Sequence, residues 1–309
     1  MDKIKIALLS GGLSGEREIS LKTGKKIFEA LDKNKYEIFQ YDPKINLKEF
    51  FNDAINKKFD LVVPALHGPF GEDGKIQGMM DIIGIPYVFS GCLASALAMD
   101  KYKCKIIAAK NQIPVIPDIL IEGVGEEKKI ISDLGLPLII KPAELGSSVG
   151  MSLVKTKEDL IVGIKEASKY SSKILIEKYI KGRELTVTVM GNDPAEALPV
   201  IEISPKTSEW FDFKAKYVSG ATEEVCPAQI PEKIKNEIQN YALKIYKAVG
   251  CKDLSRADFI WSENDDKIYF LEINTIPGMT ETSLAPQSAK EAGLEFSTFL
   301  DKLILMNIK

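Results

Sequence analysis

The chain reads as an α/β protein of more than one domain, and three observations predict that class. Lys3–Leu9 is a strand that enters a glycine-rich turn, Ser10–Glu18. A helix follows in which Ile19, Thr23, Ile27 and Leu31 recur on one face. Strand, turn and helix in this order open a doubly wound unit, where ligands sit at the carboxyl ends of strands. Apolar runs of strand length then alternate with helical stretches toward the C-terminus. Finally, 309 residues exceed the size at which one core stops growing, so two or three domains are expected.

Composition excludes several classes. A hydrophobic content of 45% is that of a globular chain, and no segment is low in complexity or repeated. The net charge is −3 with basic residues evenly spread, which argues against a nucleic-acid partner. No apolar run approaches the roughly 18 residues of a membrane span. The opening MDKIKIALLSGG enters a strand without the apolar core of a signal peptide. Cys92, Cys104, Cys226 and Cys251 are scattered without metal-type spacing and suit a reducing, cytoplasmic setting as small packing residues.

The glycine turn does not have GxGxxG spacing, so a dinucleotide is not expected there. Its acidic Glu16 disfavours phosphate and favours a cation such as an ammonium, although an acidic residue near a helix start fits equally. A second buried strand, Phe59–Leu66, runs into the loop His67-Gly68-Pro69-Phe70-Gly71-Glu72-Asp73-Gly74. His67 is the only histidine, and no Ser or Cys nucleophile pattern accompanies it, so it is read as a positioning residue rather than a base. Ile82–Phe89 reads as a third strand, Gly91–Ala109 as one helix, and a domain boundary is placed near residue 95.

Leu136–Pro142 and Met151–Val154 flank Ala143–Gly150, a Gly/Ser loop, and predict a hairpin whose tip can fold over a ligand. Its amides and hydroxyls could cradle phosphate with Lys141 as counter-charge, or it is an ordinary flexible turn. Asp159–Tyr170 is predicted helical. The strands Lys173–Ile180, Glu184–Met190 and Ala195–Ile203 follow, with Lys181-Gly182-Arg183 either a plain linker or a hinge that could seat a base. Ser204–Ala228, with Trp210, Phe211, Phe213, Lys214, Lys216 and Tyr217, has the length of a lid. Ile230–Val249 is a helix with an Ile234, Ile238, Ala242, Ile245 stripe, closed by Gly250. Leu284–Met306 is helical.

The densest chemistry lies in Lys267–Ser283, KIYFLEINTIPGMTETS. Ile268–Leu271 begins a strand that places Glu272 and Asn274 on one face, and Pro277-Gly278 end it. The upstream strand Arg256–Trp261 offers Arg256 and Asp258 on one face. Paired, the two would gather two carboxylates and an amide oxygen beside an arginine, a donor set that suits magnesium. Solvated strand carboxylates are the even alternative.

With these stretches in view, the chain resembles the ATP-grasp enzymes, and within them the D-alanine–D-alanine ligases. The matching pieces are GGLSGEREIS at 11–20, ALHGPFGEDG at 65–74, LASALAMDK at 93–101 and KPAELGSSVGMS at 141–152. They continue with IEKYIKGRE at 176–184, FDFKAKY at 211–217, SRADF at 255–259 and LEINTIPGMTETSLAP at 271–286. One departure is Val88-Phe89, where the family usually has Thr-Gly.

The resemblance implies three parts: a Rossmann-like substrate domain at 1–95, a central lid domain at 96–180 and a C-terminal domain with the metal site at 181–309. ATP would lie between the latter two. Lys101, Lys141, Ser148 and Lys216 would meet phosphates, Glu177 with the Lys178, Tyr179 and Ile180 backbone the adenine, and Glu184 the ribose. Phe270 would also line the nucleotide site. Asp258, Glu272 and Asn274 would hold two Mg²⁺ ions, with Mn²⁺ able to substitute. Ser147, Glu16 and Tyr217 would close the lid. Glu16 would face the ammonium of the first D-alanine, His67 would line the substrate site, and Ser283 and Leu284 would receive the carboxylate of the second. Arg256 and the Gly278 amide would stabilise the oxyanion. The implied partners are D-alanine, ATP and a second copy in a homodimer, and the implied product supplies peptidoglycan synthesis. Two rivals stand beside this reading, a D-alanine–D-lactate ligase and a non-catalytic nucleotide-binding protein of the same fold.

Overall fold

A computed structural model describes residues 2–123, 125–146, 149–206, 222–280 and 283–308. Its strands form three sheets. The first is parallel, from β1 (Ile4–Leu9), β2 (Tyr36–Tyr41) and β3 (Leu61–Pro64) in the order β2-β1-β3, with α1 (Arg17–Ala30), α2 (Pro43–Ile55) and α3 (Lys75–Ile83) between and after them. The central strand carries Ile6, Ala7, Leu8 and Leu9, all fully buried, because a parallel sheet covered on both faces needs a continuous apolar run. The strand expected over 82–89 is not formed. Ile82 and Ile83 finish α3, which Gly84 closes at φ +76° by donating to Met80 O and Asp81 O. Only Tyr87 bridges to Val62.

The single helix expected over 91–109 is two, α4 (Cys92–Met99) and α5 (Lys101–Lys110). Asp100 separates them in an extended conformation and caps α5 by accepting from Lys103 N at 3.0 Å, the preference of aspartate at a helix start. Both helices bury Ala94, Ala98, Cys104 and Ala108 in the core of the large C-terminal sheet.

The second sheet is antiparallel, in the order β4-β7-β5-β6, from β4 (Asp118–Glu122), β5 (Leu138–Pro142), β6 (Ser152–Val154) and β7 (Lys173–Lys178). The expected hairpin is present as β5 paired with β6. The helices α6 (Glu127–Leu134) and α7 (Lys157–Ala167) cover one face through Ile130, Leu160 and Ile164. α7 starts with a capping box between Thr156 and Asp159.

The third sheet runs β11-β10-β8-β12-β13, with β9 beside β8. Its strands are β8 (Gly182–Met190), β9 (Glu196–Ala197), β10 (Ile201–Pro205), β11 (Thr222–Val225), β12 (Leu254–Ser262) and β13 (Ile268–Asn274). The predicted stripe Ile234, Ile238, Ala242 and Ile245 of α8 (Glu232–Val249) is buried against it. After α9 (Leu284–Glu291), α10 (Phe296–Leu305) returns to the first sheet, where Phe299, Leu300 and Leu303 pack with Ile6, Leu8 and Ile27.

Asp253 joins these parts. Its carboxylate accepts from Phe89 N at 2.8 Å, Asn192 Nδ2 at 2.9 Å and Asn307 Nδ2 at 2.8 Å. Phe89 is held at φ +77° with its ring buried in the first core. A bulky residue in that region costs about 1–3 kcal/mol, whereas removing a buried Phe ring costs about 3–5 kcal/mol. Phe89→Gly is therefore expected to destabilise the protein despite relieving strain. Urea unfolding that showed the variant more stable would mean the strain is the larger quantity.

Candidate active site

The site begins with the antiparallel pair β12 and β13. Arg256 faces Asn274 and Asp258 faces Glu272 across it, so all four side chains share one face. Beyond Asp258 the register shifts: Phe259 pairs with Phe270, and Leu271 becomes the extra residue of a bulge. This corrects the expectation for Phe270. Strict alternation would put it beside Glu272, but the bulge resets the phase, and Phe270 turns fully into the core, edge-on to Phe259 at 5.8 Å. Leu271 lines the cavity in its place.

Arg256 donates through Nε and Nη2 to the two oxygens of Asp258, each at 2.9 Å, and Thr186 Oγ1 also donates to Asp258. Burial alone would pull the arginine pKa down, but the adjoining Asp258 carboxylate outweighs it and raises it further. Lys101 Nζ lies 3.0 Å from Glu272 Oε2 and donates to Leu145 O at 2.7 Å, tying α5 to the hairpin loop. Asn274 Oδ1 accepts from Ile276 N at 3.0 Å. Among the described residues no three His, Cys, Asp or Glu side chains form a metal-type cluster. The set here is two carboxylates and the Asn274 amide.

A cavity of about 620 Å³ opens on this face. Glu16 and His67 line one side, Gly278, Ser283 and Leu284 another, and Arg256, Glu272 and Asn274 the floor. His67 Nε2 is 2.9 Å from Thr23 Oγ1 and Nδ1 is 3.8 Å from Glu72, a placement that holds the ring rather than freeing it as a base. Burial pushes the Glu72 carboxyl up, partly offset by His67. A Cβ at Gly278 would lie 2.8 Å from Ser283 Oγ, so the strand end can approach α9 only without a side chain. The Glu16 carboxylate reaches to 3.6 Å from where a Cβ of Gly146 would stand, beside the hairpin tip.

A second cavity of about 110 Å³ lies between the second and third sheets. Ile116, Ile139, Met151 and Leu271 give it aliphatic walls, and Lys141, Glu177 and Glu184 polar edges. Lys101 and Glu272 line both cavities, so the two adjoin. Lys178, Tyr179 and Ile180 also line it, with the Lys178 and Tyr179 amides donating to Pro117 O at 3.1 Å and Pro137 O at 3.0 Å. Glu177 is buried and ion-paired with Lys105 and Lys141. Burial would raise its pKa, but the two ammonium groups together bring it below the ordinary value of 4.5.

The structure thus gathers Glu16, His67, Arg256, Gly278, Ser283 and Leu284 about one cavity. Lys141, Glu177, Lys178, Tyr179, Ile180, Glu184 and Asp258 surround the other. Ser147, Ser148, Lys216 and Tyr217 lie outside the described residues. Sequence reasoning missed Leu271, Thr186 and Lys105. Lys105 stands four residues after Lys101 on the same helix face, a spacing that could have drawn attention to it.

An aliphatic slot between two antiparallel sheets, with lysines at its mouth and a carboxylate pair at its floor, fits the ATP-grasp class. The N-terminal family model for D-ala D-ala ligases matches residues 40–92 and the C-terminal model residues 113–305. A D-alanine--D-alanine ligase of Syntrophobacter fumaroxidans is 46% identical over 98% of this chain and 97% of its own. The solved D-alanine--D-alanine ligase of Bacillus anthracis complexed with ATP superposes with a TM-score of 0.85 at 33% identity, covering 98% and 97% of the two chains. A D-Ala:D-Ser ligase of Enterococcus faecalis gives 0.85 at 33% identity, covering 99% and 100%. The chain belongs to the D-alanine–D-alanine ligase family.

The Glu177 pairing makes stability depend on pH with a definite sign. A carboxyl whose folded pKa is depressed contributes stability fully above 4.5, lost as pH falls through the folded value. Glu177→Gln is expected to cost about 3–5 kcal/mol at neutral pH, with the gap to wild type narrowing in acid. Urea titrations at a series of pH values check this, and a gap independent of pH would contradict it.

Proposed function

We propose that the chain joins two D-alanine molecules to D-alanyl-D-alanine through an acyl phosphate, releasing ADP and phosphate. The observation that carries this reading is the shared wall of the two cavities, where Lys101 and Glu272 stand between an aliphatic slot and a polar chamber. The slot suits a base, with Glu177 and the Lys178–Ile180 hinge at its edge and Glu184 for the ribose. In the chamber, Glu16 suits the ammonium of the first D-alanine. The Ser283 hydroxyl and the Leu284 amide, at the start of α9, suit the carboxylate of the second.

A carboxylate that attacks a phosphoryl group is an anion approaching an anion, so Lys101 and Lys141 serve to neutralise the charge that builds up. The amine of the second D-alanine then attacks the acyl carbon, and Arg256 with the Gly278 amide stabilises the oxyanion. An acyl phosphate hydrolyses in water, which gives the hairpin loop the task of excluding solvent. Asp258, Glu272 and Asn274 fit magnesium, or manganese in its place. Their hard oxygens lie on one face of the paired strands, and a bound cation would take over the charge that Arg256 and Lys101 now balance on the two carboxylates. Bound there, the two ions would supply further positive charge to the phosphate oxygens. The same reading includes division into 1–95, 96–180 and 181–309, a homodimer, a cytoplasmic location and a supply of dipeptide for peptidoglycan. Among the described residues no helix is long and apolar enough to cross a membrane.

The D-Ala:D-Ser neighbour raises a second reading, in which the acceptor is another small D-acid. Phosphate release should depend on D-alanine, and competition among D-alanine, D-serine and D-lactate should yield D-alanyl-D-alanine as the main product. A mixed product dominated by serine or lactate would favour the second reading, and release without any D-amino acid would remove both. Arg256→Ala should lower kcat by roughly 10²–10³ while ATP affinity changes far less. Equal losses in steady-state kinetics and nucleotide titration would count against an oxyanion role.

A further inference from the structure

Lys105 adjoins the smaller cavity, yet neither the phosphate contacts nor the carboxylate strands use it. It is only 2% exposed and does not line the cavity itself. Its ammonium donates to Ile116 O at 2.8 Å and pairs with Asp118 and Glu177, two carboxylates that face each other across β4 and β7. Buried ion pairs of this kind add little stability over well-packed apolar residues, since desolvation consumes most of the attraction. The charge therefore asks for a task.

Glu177 is shared by two lysines that are not equivalent. Lys105 holds Oε1 and Lys141 holds Oε2. Lys141 lines the cavity, where it can turn to a phosphate, and the Oε2 contact is then given up. Lys105 is enclosed, so its contact persists whichever way Lys141 points.

We propose that Lys105 is a positioning residue for base selection: it fixes the Glu177 carboxylate at the cavity edge as an acceptor that admits the amino group of adenine and rejects the carbonyl of guanine. This rests on the reading of the smaller cavity as the nucleotide site. The physical ground is that a charged carboxylate accepts hydrogen bonds and donates none. A buried site built to pair with one substrate group rejects an analogue that lacks it.

The experiment is a titration of ATP and of GTP, with magnesium present, into wild type, Lys105→Met, Glu177→Gln and the double variant. Lys105→Met should weaken ATP about tenfold or more and leave GTP nearly unchanged. In the Glu177→Gln background the same substitution should cost nothing further, because residues that act through one another are not additive. Equal loss for both nucleotides, or additive loss in the double variant, would reduce Lys105 to a structural residue. Should Lys105→Met not fold, the double variant decides. It removes one positive and one negative charge together, so the net charge of the cluster is unchanged, and a drop in ATP affinity below Glu177→Gln would overturn the role. A wild type that binds neither nucleotide would instead remove the reading of the cavity itself.

Discussion

The site depends on the pairing of β12 with β13 and on the bulge within it. Arg256, Asp258, Glu272 and Asn274 share the cavity face because the register sets them opposite one another, and Phe259, Phe270 and Ile273 share the other face, in the core. Each buried aromatic contributes about 1.5–3 kcal/mol. That anchoring helps offset the desolvation of charged groups on the opposite face. Without the bulge, Phe270 would enter the cavity and Leu271 the core, and the carboxylate pair would lose its anchored neighbours.

Around that pair the protein keeps its cations in contact with its carboxylates. Arg256 is forked on Asp258, Lys101 is paired with Glu272, and Lys105 and Lys141 each meet one oxygen of Glu177. This matching lets so many charges lie buried near one another, since an uncompensated one would be prohibitive. It also prepares the site for anionic ligands. A lysine held on a carboxylate is already ordered, and exchanging that partner for a phosphate oxygen costs less entropy than ordering a free side chain.

The first and third sheets share an apolar core, in which Met190, Leu198 and Leu254 pack with Ile6, Leu8 and Val88, and polar contacts fix how the parts meet. Asp253 gathers Phe89, Asn192 and Asn307, while Lys101 links α5, the hairpin loop and β13. Such connections are directional, so they fix how the elements meet without adding much apolar area. The larger cavity opens where the loops of the first sheet meet the floor built by β12 and β13.

Much of this was legible in the chain itself. Periodicity located α1 and α8, alternation placed Glu272 with Asn274 and Asp258 with Arg256, and the glycine-rich loops at strand ends marked the chamber around Glu16 and His67. These are local signals, because a repeat of 3.6 or 2 residues is a property of the segment alone. Other features were settled only by tertiary structure. β2 has an edge strand's mixed burial and β4 is short and half-exposed, so neither shows a clear apolar run. Ile82 looks like part of a strand but ends a helix, because Gly84 caps it. Phe270 and Leu271 exchange faces because a bulge is a relation between two strands. Lys105 reads as one lysine on a helix until β4 and β7 bring Asp118 and Glu177 to it from distant segments. The sequence by itself determined which chemical groups the chain carries and the faces of its regular segments. The tertiary structure alone decided their phase, their partners and their burial, since these depend on contacts between residues far apart in the chain.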